Sequence, residues 1–280
     1  MIANVRIMKI LTLFLYTQFY FSISNCFPNQ NDDTKDFRSK RAIEALNQLK
    51  LENLPKKLDW RDYGAVTAIK NQKNCGACWA FSTVETMESM KKIKLDDQLQ
   101  ELSVQQVIDC ARGENNGCEG GDTCTVLEWM DKTRFNLTSE NDYPLTDVQA
   151  TCKAVESATR LQLEKNFTCN SYVGDEEAMI KLLADHGPLV AAVDATTWQD
   201  YLGGIIQYHC GGITNHAVQI VGYDLTGKKY QIFRLPVGEI PFYIVRNSWG
   251  SGFGLDGYLH IEIGKNLCEI ATRVSTLSVH

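Results

Sequence analysis

The sequence lacks three features that would place it in other classes of protein. Beyond its first 25 residues it has no apolar run near the roughly 20 residues that a membrane span needs. It has no basic excess, because residues 54–280 carry 21 Lys/Arg and 29 Asp/Glu side chains. It contains one C-x-x-C but no second one, and no H-x-x-x-H to complete a zinc site. We therefore expect no membrane span, no nucleic-acid partner, no metal and no cofactor.

The amino terminus has the pattern of an exported protein. Arg6 and Lys9 precede about a dozen largely apolar residues at 10–21, followed by the small residues Ser22 and Ser24. This pattern predicts a signal peptide at 1–24. The polar residues 25–53 are too few to fold alone and are interpreted as a short propeptide remnant, with the mature chain at 54–280.

Export gives the ten cysteines an oxidising environment, so most of them are expected in disulfides. Two N-x-T triplets begin at Asn136 and Asn166 and are candidate glycosylation sites.

The stretch 71–82 contains Cys75-Gly76-Ala77-Cys78-Trp79 and leads into a helix whose apolar residues recur at a helical interval. A sulfur at such a helix start is favoured as a thiolate, the nucleophilic form of cysteine. Three interpretations compete: two structural cysteines, a redox-active pair, and a catalytic nucleophile at Cys78. The third requires a distant base, and we find one candidate among five histidines. His216 lies 138 residues after Cys78 and opens a predicted strand.

With His216 at this distance, the motif resembles the active-site segment of the papain-like cysteine proteases. The resemblance covers residues 54–280 and implies a role for each matching position. Asn247, in Tyr243-Ile244-Val245-Arg246-Asn247-Ser248-Trp249-Gly250, would orient the imidazole of His216, and Trp249 would cover it. Gln72 and the backbone N–H of Cys78 would form the oxyanion hole. Gly120 and Gly121 would line the path of an extended substrate, where a side chain would block the approaching backbone.

The resemblance also implies a pocket for the second substrate residue before the cut. Its lining would be Thr123, Ala192 and Ala217, with Arg273 at its base. Arg273 is unusual in a pocket of this kind. We slightly favour a side chain that points to solvent; the alternative is tolerance of acidic substrate residues.

Disulfide pairings follow from the resemblance as well: Cys75–Cys118, Cys110–Cys152 and Cys210–Cys268. Cys26 would leave with the signal peptide or propeptide. Cys124 and Cys169 have no counterpart in the family and are either free thiols or a bridge of their own.

The pattern of elements is helices first and strands second, which indicates an α+β protein. Helices are expected at 102–110, around 126–130 and at 175–186, and strands at 189–193, 217–223, 242–247 and 258–263. The first of these helices has Ser103 as N-cap and Gln106 three residues later, the pattern of a capping box. The resemblance implies a papain-like two-domain fold. A helical left domain (about 64–160) and an antiparallel β-barrel-like right domain (about 161–267) would flank the active-site cleft, with the C-terminal segment crossing back.

Three departures from the family pattern bear on activity. The prosegment is short, an insertion falls within 222–242, and Glu269 follows Cys268 where glycine is expected. The insertion could displace Asn247, and Glu269 could strain its turn.

The resemblance implies a cysteine endopeptidase of lysosomal protein turnover, because no loop like those of exopeptidases precedes Gly120. It would be a monomer in the lysosome or outside the cell, with protein and peptide substrates and cystatin-type inhibitors as partners. Two alternatives stay open: a catalytically weakened homologue that binds peptides or a partner, and a thiol–disulfide oxidoreductase that uses Cys75 and Cys78.

Overall fold

The structure is a computed structural model that describes residues 54–208, 210–226 and 240–280. The predicted signal peptide and propeptide lie outside the described residues, as does most of the insertion. The helices are α1 (Cys78–Leu95), α2 (Val104–Cys110), α3 (Thr123–Thr133) and α4 (Glu176–Asp185). The strands are β1 (Lys57–Asp59), β2 (Thr168–Asn170), β3 (Leu189–Val193), β4 (Ile205–Ile206), β5 (His216–Asp224), β6 (Phe242–Arg246), β7 (Tyr258–Glu262) and β8 (Arg273–Thr276).

Helix α1 is the centre of the helical half, which we define as α1, α2, α3 and their shared core. It begins at Cys78, as the sequence predicts, and ends where Asp96 adopts a left-handed conformation. The four periodic apolar residues all face the core formed with α2 and α3: Phe81, Val84, Met87 and Met90. Almost every face of this helix is buried, so α1 is held rigidly between the rest of the helical half and the sheet half.

The two shorter helices of this half start at side-chain caps. Ser103 Oγ accepts a hydrogen bond from the backbone N–H of Gln106 at 2.9 Å, the cap that the sequence predicts. The reciprocal bond of a capping box is absent here, because the backbone N–H of Ser103 donates to Thr138 O and Gln106 Oε1 accepts from Thr138 N. At α3, Asp122 Oδ1 accepts from the N–H groups of Cys124 and Thr125, each at 3.0 Å.

The sheet half consists of one eight-stranded sheet with α4 packed on it. The strand order is β2-β8-β3-β5-β6-β7-β4, and β1 pairs separately with β5. The strand pairings are antiparallel, as expected of the right domain, except at one edge, where the short β4 pairs with β7 in parallel. Between β5 and β6 the register shifts at a bulge near Ile220.

The two halves meet where α1 packs against β5 and β3. The chain crosses this boundary at both ends: β1 joins the sheet half, and Leu277 and Val279, just after β8, enter the helical core. The helices and the mixed sheet agree with the α+β, papain-like fold class. No helix among the described residues is long and apolar enough to cross a membrane. The same residues contain no group of three or more His, Cys, Asp or Glu side chains placed to hold a metal.

Candidate active site

Cys78 and the start of β5 meet at the boundary of the two halves. Cys78 is the first residue of α1, and its side chain contacts Ala217, which follows His216 at the start of β5. Both Cys78 and His216 are fully buried. The first residue of a helix in one half therefore lies against the strand of the opposite half that His216 opens.

The imidazole of His216 is fixed by Asn247. His216 Nε2 and Asn247 Oδ1 are 2.8 Å apart, and the same oxygen accepts the backbone N–H of Ser248 at 2.8 Å. Because this oxygen is an acceptor, Nε2 is assigned as the protonated nitrogen and Nδ1 as the basic one. The insertion at 222–242 therefore leaves Asn247 within hydrogen-bonding distance of His216.

Burial strongly affects the charge of this imidazole. Removal from water lowers the pKa of His216 from 6.5 to about 4, and the hydrogen bond to Asn247 acts in the opposite direction. A neutral imidazole is thus the stable form unless a negative charge lies next to it.

Two tryptophans shield the His216–Asn247 pair from water. The ring of Trp249 lies 4.9 Å from that of His216 at 37°, and the edge of Trp198 approaches from 6.2 Å at 88°. Sequence reasoning assigned the covering role to Trp249 alone. Trp198 was missed because it lies on a separate short helical turn, Trp198–Asp200, that no motif connects with the site.

Gln72 is buried, and three hydrogen bonds fix its position. Its Nε2 donates to Cys75 O at 2.9 Å, its Oε1 accepts from Ser248 Oγ at 2.6 Å, and its backbone N–H donates to Ser248 O at 2.8 Å. The Nε2 end of the amide therefore lies on the side of the loop that leads to Cys78. Ser248, which sequence reasoning did not single out, connects Gln72 with Asn247.

The two glycines of the predicted substrate path are required for different reasons. Gly120 has φ of +115°, a conformation that favours glycine. A Cβ on Gly121 would lie 2.6 Å from the side chain of Trp79. The packing of Trp79 is thus a structural reason for Gly121, separate from the role in substrate approach that the sequence predicts.

Three of the predicted pocket residues lie side by side in the sheet, and one of them, Ala217, contacts Cys78. Ala217, Ala192 and Arg273 are direct neighbours across β5, β3 and β8, and Thr123 opens α3 nearby. Arg273 does not simply point to solvent, because its Nη2 pairs with Asp122 Oδ2 at 2.6 Å and its side chain is 30% exposed.

All three disulfides implied by the resemblance are present in the structure, and Cys124 pairs with Cys169 as a fourth. Since Cys75 is bonded to Cys118, Cys75 and Cys78 do not form the redox pair of an oxidoreductase. Glu269 occupies its turn with φ of +60°, so the predicted backbone strain is present. Asn136 and Asn166 are both exposed, as glycosylation requires.

A sulfur, an imidazole and an amide in this order are the parts of a cysteine protease site, and comparison with known proteins identifies the family. The family model described as "Papain family cysteine protease" matches residues 54–278. The chain belongs to the papain family. It is thus a hydrolase of the papain-like cysteine protease type, with proteins as substrates.

Curated relatives include cathepsin O of Homo sapiens, 44% identical over 228 residues that cover 81% of this chain and 67% of that protein. Cathepsin O of Mus musculus is 42% identical over 81% of this chain and 69% of that protein. Within the family, residues 102–110, 198–206 and 243–250 of this sequence resemble cathepsin O, and these matches confirm that likeness.

Solved structures give the same papain-family fold. Bromelain protease from Ananas comosus in complex with the E64 inhibitor aligns with a TM-score of 0.69 and 33% identity, covering 81% of this chain and all of that one. The proform of the ragweed cysteine protease Amb a 11 aligns with a TM-score of 0.77 and 29% identity, covering 92% of this chain and 75% of that one.

Proposed function

We propose that the protein is an endopeptidase that cleaves protein and peptide substrates through an acyl-enzyme on Cys78. The observation that carries this proposal is the 2.8 Å contact between His216 Nε2 and Asn247 Oδ1 beside the tip of α1. This contact leaves Nδ1 as the nitrogen that takes the proton from Cys78.

In the proposed site, the positive charge on His216 and the negative charge on Cys78 stabilise each other. A buried imidazolium is unfavourable alone, as the lowered pKa of His216 indicates. A thiolate at Cys78 supplies the missing negative charge, and the amino-terminal end of α1 stabilises that thiolate. The proton of Cys78 therefore moves to His216 because both charges form together.

The proposed reaction has two stages. The thiolate adds to the scissile carbonyl carbon, and the oxyanion accepts hydrogen bonds from Gln72 Nε2 and the backbone N–H of Cys78. The C–N bond breaks as the imidazolium protonates the leaving amine, which leaves a thioester on Cys78. His216 then takes a proton from water, the hydroxyl adds to the thioester carbonyl, and the carboxylic acid departs as the thiolate re-forms.

The cellular setting is part of the proposal. The leader at 1–24 and four disulfides between described residues support the secretory pathway, with the lysosome or the extracellular space as destination. We further propose removal of 25–53, glycans at Asn136 and Asn166, action as a monomer in protein turnover, and inhibition by cystatin-type proteins. Mass mapping of the secreted protein tests the new amino terminus at residue 54 and both glycans.

Labelling with an epoxysuccinyl inhibitor after mild reduction tests the chemistry. We expect modification at Cys78 alone, complete loss of labelling in Cys78→Ser and strong slowing in His216→Ala. His280→Ala, which removes an exposed imidazole at the carboxyl terminus, is the matched control and should label normally. The rates of peptide cleavage should rank these variants in the same order as the rates of labelling.

A further inference from the structure

The chain between α2 and α3 forms a tight loop near the start of α1, and we call residues 115–122 the wall segment. It contains both glycines of the predicted substrate path. Two bonds tie it to the residues just before Cys78: the disulfide Cys75–Cys118 and a 2.8 Å hydrogen bond from the backbone N–H of Gly76 to Cys118 O. The wall segment therefore keeps a fixed position relative to the first residue of α1.

The side chain of Asn115 closes this loop. It is 4% exposed, and its Oδ1 accepts the backbone N–H of Asp122 at 2.9 Å and the hydroxyl of Thr125 at 3.1 Å. The first of these bonds joins the two ends of the wall segment. The second anchors the same oxygen to the first turn of α3. One amide oxygen thus fixes where the wall segment meets the helix.

Only half of the Asn115 amide is used in this way. Its Nδ2 is buried and has no hydrogen-bond partner among the described residues. The N–H of Asp122 needs an acceptor, so the orientation of the amide is fixed by its partners. A buried donor without a partner is unfavourable, and such a group is more typical of a functional site than of a residue that serves stability alone.

Gly121 packs against Asn115 and the indole ring of Trp79. A Cβ on Gly121 would come within 2.7 Å of Asn115 Oδ1 and 2.6 Å of Trp79. Although Gly121 is buried, its own N–H and C=O make no hydrogen bond to any other residue that the structure describes. Nearly all buried backbone polar groups in folded proteins are paired. These two groups are therefore suited to pairing with the backbone of an extended peptide.

We propose that Asn115 is a positioning residue, whose Oδ1 holds the wall segment so that Gly121 pairs with the backbone of an extended substrate. This inference rests on the proposed function. Asn115 does not touch the substrate itself and acts through Gly121 and Asp122. A substrate with only one residue before the cut does not reach the wall segment, so its hydrolysis should not depend on Asn115.

The test compares two substrates in Asn115→Ala, which removes Oδ1. One is a tripeptide 4-methylcoumarin amide, and the other is the 4-nitrophenyl ester of formylglycine, which has a single residue before the cut. Thr125→Val is the matched control, because it removes the second bond to Oδ1 and leaves the bond from the N–H of Asp122 in place. If Asn115→Ala does not fold by circular dichroism, Asn115→Ser takes its place with the same expectation.

We expect Asn115→Ala to lower kcat/KM for the tripeptide amide by about tenfold, mainly through a higher KM. The loss for the formylglycine ester should be less than about twofold, and Thr125→Val should change neither substrate by more than that. Equal losses for the two substrates would assign Asn115 a purely structural role and overturn the proposal. An unchanged KM for the tripeptide amide, or the same loss in Thr125→Val, would overturn it as well.

Peptide binding separates this proposal from the proposed function. The tripeptide, labelled with fluorescein, is titrated into Cys78→Ser with and without Asn115→Ala and followed by anisotropy. Binding that is about tenfold weaker with Asn115→Ala supports the proposal even if the wild type does not cleave. Cleavage by the wild type together with equal binding by the two variants rejects the proposal and leaves the proposed function standing. No binding of the peptide to either variant also rejects it.

Discussion

Two arginines of the sheet half, Arg246 and Arg273, each pair with a carboxylate from the helical half, but in opposite surroundings. Arg246 and its partner Glu85 are fully buried, with Nη2 and Oε1 3.3 Å apart. Arg246 also donates to Gln219 Oε1 and Thr67 Oγ1 at 3.2 and 3.1 Å. Arg273 has one acidic partner among the described residues, and its side chain is 30% exposed.

The difference teaches what each pair is for. A buried guanidinium with several acceptors fixes the packing of β6 against α1, and Asn247 directly follows Arg246. A half-exposed guanidinium with spare donors is suited to contacts with substrate. We call these the buried pair, Arg246–Glu85, and the rim pair, Arg273–Asp122.

The largest effect is expected from breaking the buried pair. Arg246→Ala leaves the carboxylate of Glu85 without its partner inside the protein, which costs about 3–5 kcal/mol of stability. Urea unfolding followed by tryptophan fluorescence measures this loss. A loss no larger than that of the rim variant described below would contradict the assigned role.

The pH dependence of stability sharpens the comparison. Burial raises the pKa of Glu85 from 4.5 to about 7, although the positive charges of Arg246 and Lys70 act to lower it. A carboxyl with a higher pKa when folded binds its proton more tightly in the folded state, so stability falls as pH rises from 4.5 to 7. This effect amounts to at most about 3 kcal/mol.

Thermal unfolding of the wild type and Glu85→Gln across this pH range isolates the contribution of Glu85. The difference in stability between the two proteins should drift with pH. A flat difference for Glu85→Gln means that Glu85 is ionised throughout the range.

The smallest effect is expected at the rim. Because Arg273 is partly exposed, solvent screens its pair with Asp122, and Arg273→Ala should cost less than about 1 kcal/mol. The same urea titration measures it, with added salt shrinking the loss further. A loss of several kcal/mol in Arg273→Ala would show instead that the rim pair holds the fold together.

The sequence allowed prediction of the elements that a local pattern encodes. The periodic apolar residues of α1 and the cap at Ser103 are such cases, because the interactions involved lie within one or two turns of the chain. The contact between His216 and Asn247 has no local signal, and its prediction came from the likeness to the papain family.

Features that depend on distant packing escaped prediction. The rim pair exists because the start of α3 meets β8, and nothing near Asp122 or Arg273 encodes that meeting. The pairing of Cys124 with Cys169 was left open since connectivity cannot be read from spacing. The two residues of β4 are too few to show a strand pattern, so their parallel pairing with β7 was missed.

The bond between Cys124 and Cys169 ties the start of α3 to β2, and so joins the helical half to the sheet half covalently. Cys78 and His216 belong to different halves, so this cross-link limits how far the two residues can move apart. Chemical reduction of the bond would remove that limit.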